Sequence, residues 1–474
     1  MKMRSSPSYD DKDAPTEDHA VVNRILDEPD EIAQGAEDAF AAQGEGVVHW
    51  KSMGWIRAGF VALAESIALG TLSFPSIFMR VGVVGGVVLC VAYGSIAYLT
   101  AVVMVDFKLR HPQVMNYADA GQIIFGQWGF YVLGAGMFLK SIGLCASHVL
   151  VGKQALNYFS DNATCSIVFA MVVAVASILM SVQRTWGGLT GMSIVSVSSI
   201  LIAAFITVVG VAVQDPTRLE KNGVPVQWKA VNTDATLIDV IGALTNVMFA
   251  YGGNMACFSF LAEMRRPVDF KKSFLLNQVV STVVYLLVGS IVYVYAGQYT
   301  TSPAFGSLGH TLRMTAYAIA FPCIMISGVL GGNVGAKWVY LTAFRSRPEI
   351  LNSNGWRSWS WWMLIITSMW VAAFVLAELI PFFSSLLSII SSLFSTWFIA
   401  GLGALLWLHL YSPKHSPEAG GYFASPGRTV VFSFMVFLIV MSLAITPLGL
   451  YSAFKTIISG FANGTYGHPF SCAA

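Results

Sequence analysis

Charge is scarce in this sequence: only 11% of its 474 residues are Asp, Glu, Lys or Arg, less than half of the roughly 25% that a soluble globular domain carries. With 55% hydrophobic residues and a mean hydropathy of +0.66, such a chain needs the lipid bilayer as its solvent. Basic clusters interleaved with aromatics are missing and the net charge is only +2, which excludes the electrostatic footprint of nucleic-acid binding. No cleavable signal peptide opens the chain, because its first fifty residues are polar and the first apolar run begins near Gly54. The six cysteines form neither a CxxC pair nor a Cys/His pattern at metal-ligand spacing, so no metal or other cofactor is expected. HExxH, GxSxG and comparable catalytic constellations are absent as well. No catalytic residue and no enzyme activity are expected.

What the sequence does have begins with acid. Asp10, Asp11, Asp13, Glu17, Asp18, Asp27, Glu28, Asp30, Glu31, Glu37, Asp38 and Glu45 hold close to half of the chain's 25 acidic residues, which marks residues 1–51 as a disordered cytoplasmic tail, with Lys2 and Lys12 open to modification. Apolar stretches follow near 54–80, 82–107, 129–151, 166–181, 188–213, 236–262, 274–297, 312–337, 359–380, 384–411 and 428–454. Each is long enough to cross a hydrocarbon core about 30 Å thick, giving about eleven spans in a membrane domain over 52–456, followed by an external tail over 457–474.

Orientation is read from the basic loops. With the N-terminus inside, the inner connections carry Lys108, Arg110, Arg184, Arg265, Arg266, Lys271, Lys272, Arg345, Arg347, Arg357, Lys414 and Arg428, and the outer side mainly Lys153, Arg218, Lys221, Lys229 and Lys455. The sequons at Asn162 and Asn463 both fall outside, where glycosylation is possible. Cys165 and Cys472 share that oxidising side, so they stand either as a disulfide or as two free thiols; Cys90, Cys145, Cys257 and Cys323 sit in apolar runs, where a small polarizable residue packs.

Two spans carry helix-breaking residues at mid-membrane, which lipid tolerates only where protein or a cavity satisfies the freed backbone. The first brings Glu65, Gly70 and Pro75 to the bilayer centre; the sixth brings the pair Gly252 and Gly253. Breaks at matched positions of two five-helix halves point to an inverted-repeat transporter with its site at the repeat interface. Free amides around Gly70 and Thr71 would take an anionic group at a helix start. Carbonyls of Ser66, Ile67, Phe249 and Ala250 would take a cation, with Ala68, Gly252 and Gly253 completing the unwound turns. Phe249, Tyr251, Met137, Ile319 and Met325 are candidates for an apolar wall, although helix packing accounts for most such residues.

The stretches that carry these breaks resemble a known family. ALGTLSFP (68–75) is similar to the GTGILSLP-type signature of the first helix of the amino acid/auxin permease family, and NVMFAYGGN (246–254) with AEMRRPVDFKK (262–272) to its sixth helix and exit. The resemblance runs from about Trp50 to the C-terminus. It implies an all-α polytopic fold, a five-plus-five inverted repeat with an eleventh helix and broken helices 1 and 6. It also implies proton-coupled symport of neutral amino acids at the plasma membrane. Ala68 and Leu69 replace the family's Gly-Thr or Gly-Ser pair, so roles at those two side chains do not carry over.

Ionisable groups inside a membrane are functional candidates. Glu65 and Lys140 are the deepest, as a cross-span ion pair or with Glu65 as the proton carrier. Asp239 stands at capping-box spacing from Thr236 and should start the sixth helix; Glu263, Lys337 and Glu378 should snorkel to water. A transporter-like sensor and a vacuolar exporter remain as alternatives to a plasma-membrane permease.

Overall fold

The computed structural model describes residues 51–220, 224–380, 382–415, 420–463, 470 and 472; the acidic tail and Thr465 of the second sequon lie outside them. The described chain is almost wholly helical, and an isolated bridge pairs Met53 with Met264. Lipid offers no partner to backbone amides, so each crossing segment satisfies its own. The helices are α1 (Trp55–Ser66), α2 (Leu69–Arg110), α3 (Tyr117–Phe159), α4 (Ser166–Met180), α5 (Trp186–Val213), α6 (Leu237–Ala250), α7 (Cys257–Glu263), α8 (Phe270–Ala296), α9 (His310–Phe344), α10 (Pro348–Leu351), α11 (Trp356–Leu379), α12 (Phe383–Ile390), α13 (Leu402–Leu410) and α14 (Pro426–Ala462).

Eight helical stretches among the described residues are long and apolar enough to cross a membrane, with α4 and α6 shorter apolar helices. Large apolar side chains such as Leu179, Phe205, Val279 and Val440 point outward, which suits a lipid-facing surface. The 42-residue α2 is two runs joined at Gly82, whose φ of +81° only glycine adopts without strain. The amides freed there, of Val83 and Val84, donate to the carbonyls of Lys229 and Ala230 in the connection before α6. Inside, α3 packs along α9 and α11, α2 along α8 and α6, and α5 along α9.

Several sequence expectations change here. The last helix continues past the expected end at 454 as far as Ala462. The tenth apolar stretch is not a uniform helix: π-helical turns cover Ser391–Ser395 and Trp397–Gly401, and neighbours from other elements take their carbonyls, Tyr117 donating to Phe398 and Ser442 to Thr396. Glu263, Lys337 and Glu378 do not reach water. Lys337 pairs with Glu263 and Lys153 with Glu378 at 2.6 Å, all four side chains less than 10% exposed, so Lys153 lies in the helix packing rather than in an outer loop. Glu263 also accepts the Trp186 amide at 2.8 Å, and Lys337 lies over the Trp186 ring. A buried charge needs a partner more than it needs a route to solvent.

Other expectations are found in place. Thr236 and Asp239 form a reciprocal capping box at the start of α6. Cys165 and Cys472 are bonded, their Cα atoms 4.7 Å apart, tying the start of α4 to the end of the chain, and the other four cysteines are buried thiols.

Candidate functional site

The breaks lie where α1 gives way to α2 and α6 to α7, and the two meet. Helix α1 stops at Ser66; Ala68 (φ −66°, ψ −114°) turns the chain, and α2 starts at Leu69 with no side-chain cap. Its first-turn amides have no helical partner. Helix α6 stops at Ala250, and a 3-10 turn over Gly252–Ala256 leads into α7. Gly70 is what lets the halves touch: a Cβ placed there would lie 2.8 Å from both Cα and Cβ of Ala250.

The turn expected around Gly70 and Thr71 therefore sits slightly earlier, at Ile67 and Ala68, because a side chain from another helix holds it. The Tyr285 hydroxyl of α8 lies 2.5 Å from the Ser66 carbonyl and 3.0 Å from that of Ala250, bridging the two breaks. Thr71 Oγ1 occupies the Ile67 carbonyl, and the Tyr251 amide that of Phe249. Asn277 donates to Ser66 Oγ at 3.1 Å. Tyr285→Phe would leave one carbonyl on each broken helix without this partner, at a cost of about 1–3 kcal/mol, and the purified variant should melt at a lower temperature than the wild type. An unchanged melting curve would show that the bridge adds nothing to stability.

A cavity of about 20 Å³ lies between the breaks, lined by Glu65, Ser66, Ala68, Leu69, Gly70, Lys140, Leu144, His148, Phe249, Gly252 and Gly253. That is room for a water molecule, so an amino acid would enter only if the helices part. Six of the ten residues expected to bind substrate line it: Ser66, Ala68, Gly70, Phe249, Gly252 and Gly253. Ile67, Thr71 and Ala250 are not among its lining residues, and Tyr251 turns away to Thr282 and Cys90. Met137, Ile319 and Met325 are not in its lining either.

Of the two alternatives for Glu65 and Lys140, a direct ion pair is not made: both side chains line the cavity, but without a contact at salt-bridge distance. Lys140 Nζ donates to the Gly252 carbonyl at 3.0 Å, and Glu65 Oε2 is buried with no hydrogen-bond partner. The α6–α7 break supplies a carbonyl of the kind a buried ammonium needs, and it takes Lys140 from the carboxylate. Sequence reading passed over His148, buried with Nδ1 2.6 Å from the Ile324 carbonyl. The signal was present: Lys140, Leu144 and His148 stand four apart, on one face of α3.

Comparisons with known proteins bear on the family and the fold. The family described as transmembrane amino acid transporter protein matches residues 51–448. The chain is similar to the N amino acid transport system protein of Neurospora crassa, 32% identical with 90% of each chain covered. It is also similar to a transmembrane transporter of Gibberella moniliformis, 28% identical with 90% of this chain and 88% of the relative covered. Among solved structures, MhsT in complex with L-phenylalanine aligns with a TM-score of 0.55 at 12% identity, over 86% of this chain and 100% of that one. A Na+-coupled sialic acid symporter in a substrate-bound outward-open state aligns at 0.51 and 11% identity, over 92% and 96%. At such identities the likeness is one of fold, and it is the fold of helical membrane transporters.

Proposed function

The chain belongs to the transmembrane amino acid transporter family, and from that premise we propose that it carries neutral aliphatic and aromatic L-amino acids with protons, by alternating access around the meeting point of its two broken helices. The observation that carries the reading is the cavity lined by both breaks, with an uncapped helix start on one wall and an unpartnered carboxyl oxygen inside. The first-turn amides of α2 suit the substrate carboxylate. The α-ammonium goes to the carbonyls of Ser66 and Ala250, each of which has a second lone pair beside Tyr285. Phe249, Leu144 and Leu69 face the side chain.

Glu65 is the proton carrier in this reading, because an ionised carboxylate with a buried oxygen that accepts no hydrogen bond is costly in the interior and a bound proton removes that cost. Lys140 stays on the Gly252 carbonyl and holds the break of the sixth span. Counting the run before Gly82 with α1 and treating α6 with α7 as one span, the crossings come to about eleven, with the N-terminus cytoplasmic and the C-terminus outside the plasma membrane. The bonded Cys165 and Cys472 support that orientation, since disulfides persist on an oxidising face; Asn162 and Asn463 would carry glycans there.

Glu65→Gln tests the proton assignment. Uptake by the variant should no longer rise as the outer medium is acidified, while amino acid binding persists. An unchanged pH profile of uptake would remove Glu65 from the role.

A further inference from the structure

The structure holds a second polar feature that the substrate site does not use. Along α12 and the π-helical turns after it, Ser384, Ser388, Ser391, Ser392 and Ser395 recur at spacings that keep them on one side of the helix. The upper rungs each have a protein partner. Arg80 Nη2 donates to Ser384 Oγ at 3.4 Å, Asn246 Nδ2 donates to the same oxygen at 2.9 Å, Ser388 Oγ lies 3.3 Å from Asn246 Oδ1, and Thr245 Oγ1 donates to Ser388 at 3.2 Å. Ser392 donates to the Ser388 carbonyl at 2.6 Å.

Deeper in, the bonding stops but the hydroxyls continue. Ser391, Ser395 and Thr396 are fully buried, and none of their hydroxyl oxygens has a hydrogen-bond partner among the described residues. Leaving a hydroxyl so costs about 1–3 kcal/mol, and buried polar groups are satisfied by ordered water where protein offers nothing. The lowest rung reaches the site already described: a carbon placed at the Cβ position of Gly252 would lie 3.2 Å from Lys140 Nζ and 3.6 Å from Ser395 Oγ. The neighbouring Leu393 points the other way and is 38% exposed on the outer surface. Ser391 and Ser395 belong to the first π-helical turn and Thr396 joins it to the second, and such turns recur at functional positions in helices.

We propose that this hydroxyl-lined face holds a file of water molecules running from the Arg80 end of the molecule to Lys140 and the central cavity. Protons then reach the cavity by a route separate from the one the amino acid takes. The file itself is independent of what is transported; its use for protons rests on the coupling proposed above.

Silver ion, a thiol-seeking cation able to follow water, is the probe. Ser391→Cys, Ser395→Cys and Leu393→Cys are made in the full chain, reconstituted, and exposed to silver from the Arg80 side. All three are placed in a Cys257→Ser background, because the native Cys257 thiol lies within electrostatic reach of Lys140 at the inner end of the file; uptake by the two serine-site variants should be lost, while the Cys257→Ser parent and Leu393→Cys keep theirs. Should either serine-site variant be inactive at the outset, protection of the new thiol from maleimide after silver treatment and denaturation gives the same readout without uptake. Thiols at 391 and 395 that stay unprotected would overturn the proposal, as would equal silver sensitivity in Leu393→Cys. Amino-acid-driven proton entry is followed separately, and Ser395→Val should abolish it without loss of amino acid binding. If the wild type moves amino acid without protons, the coupling falls and the silver result still decides the water file.

Discussion

Gly70→Val is expected to remove most of the uptake, since overpacking of about 1–3 kcal/mol falls at the contact between the two broken helices. The cause is a collision that no rotamer relieves, because the Cβ itself would lie 2.8 Å from the backbone of Ala250. The two broken helices must move apart to admit it, and the Tyr285 bridge between Ser66 and Ala250 goes with them. Gly70→Ala should already show part of the loss for the same reason. Gly191→Ala is the matched control, a glycine in α5 around which nothing lies within 4 Å of the added carbon, and it should transport normally. Wild-type uptake by Gly70→Val at normal surface expression would mean that the helix contact is not the working site.

Lys337→Met is expected to cost about 3–5 kcal/mol of stability, the range for breaking a buried ion pair from one side. It leaves the fully buried Glu263 with the Trp186 amide as its nearest donor. The consequence extends beyond the pair, because the Glu263 carbonyl accepts the Met53 amide at 3.1 Å and the Arg265 amide donates to Met53 at 3.0 Å. The segment before α1, the end of α7, the start of α5 and the middle of α9 are thus held at one point. The purified variant should melt well below the wild type, and adding Glu263→Gln should recover part of the loss by removing the stranded charge. Equal melting temperatures for wild type and Lys337→Met would show that the pair does not hold this end of the molecule together.

The parts that were legible in the sequence depend on neighbours along the chain. Hydropathy placed the apolar stretches, Thr236 and Asp239 announced the start of α6, and the glycines and proline of the first and sixth spans marked where helices could stop. What the sequence left open depends on partners far away. The break falls at Ala68 because Tyr285, more than two hundred residues on, accommodates the released carbonyl of Ser66. Depth left Glu65 and Lys140 open either to pairing or to proton carriage by Glu65, and only the fold shows that the ammonium donates to the Gly252 carbonyl. Glu263, Lys337 and Glu378 lie near the ends of apolar runs, and nearness to an end says nothing about which buried partner waits there. The π-helical turns have no local signature, since Tyr117 and Ser442 supply the donors from other helices. Leu144 and His148 are site residues that helical spacing from Lys140 would have revealed.

Uptake of labelled L-phenylalanine or L-leucine into liposomes containing the purified protein, driven by an imposed proton gradient, tests the central claim most directly. Accumulation above the external concentration, collapsing when a protonophore is added, is the expected result. Binding of the amino acid without accumulation, or accumulation indifferent to the protonophore, would contradict it.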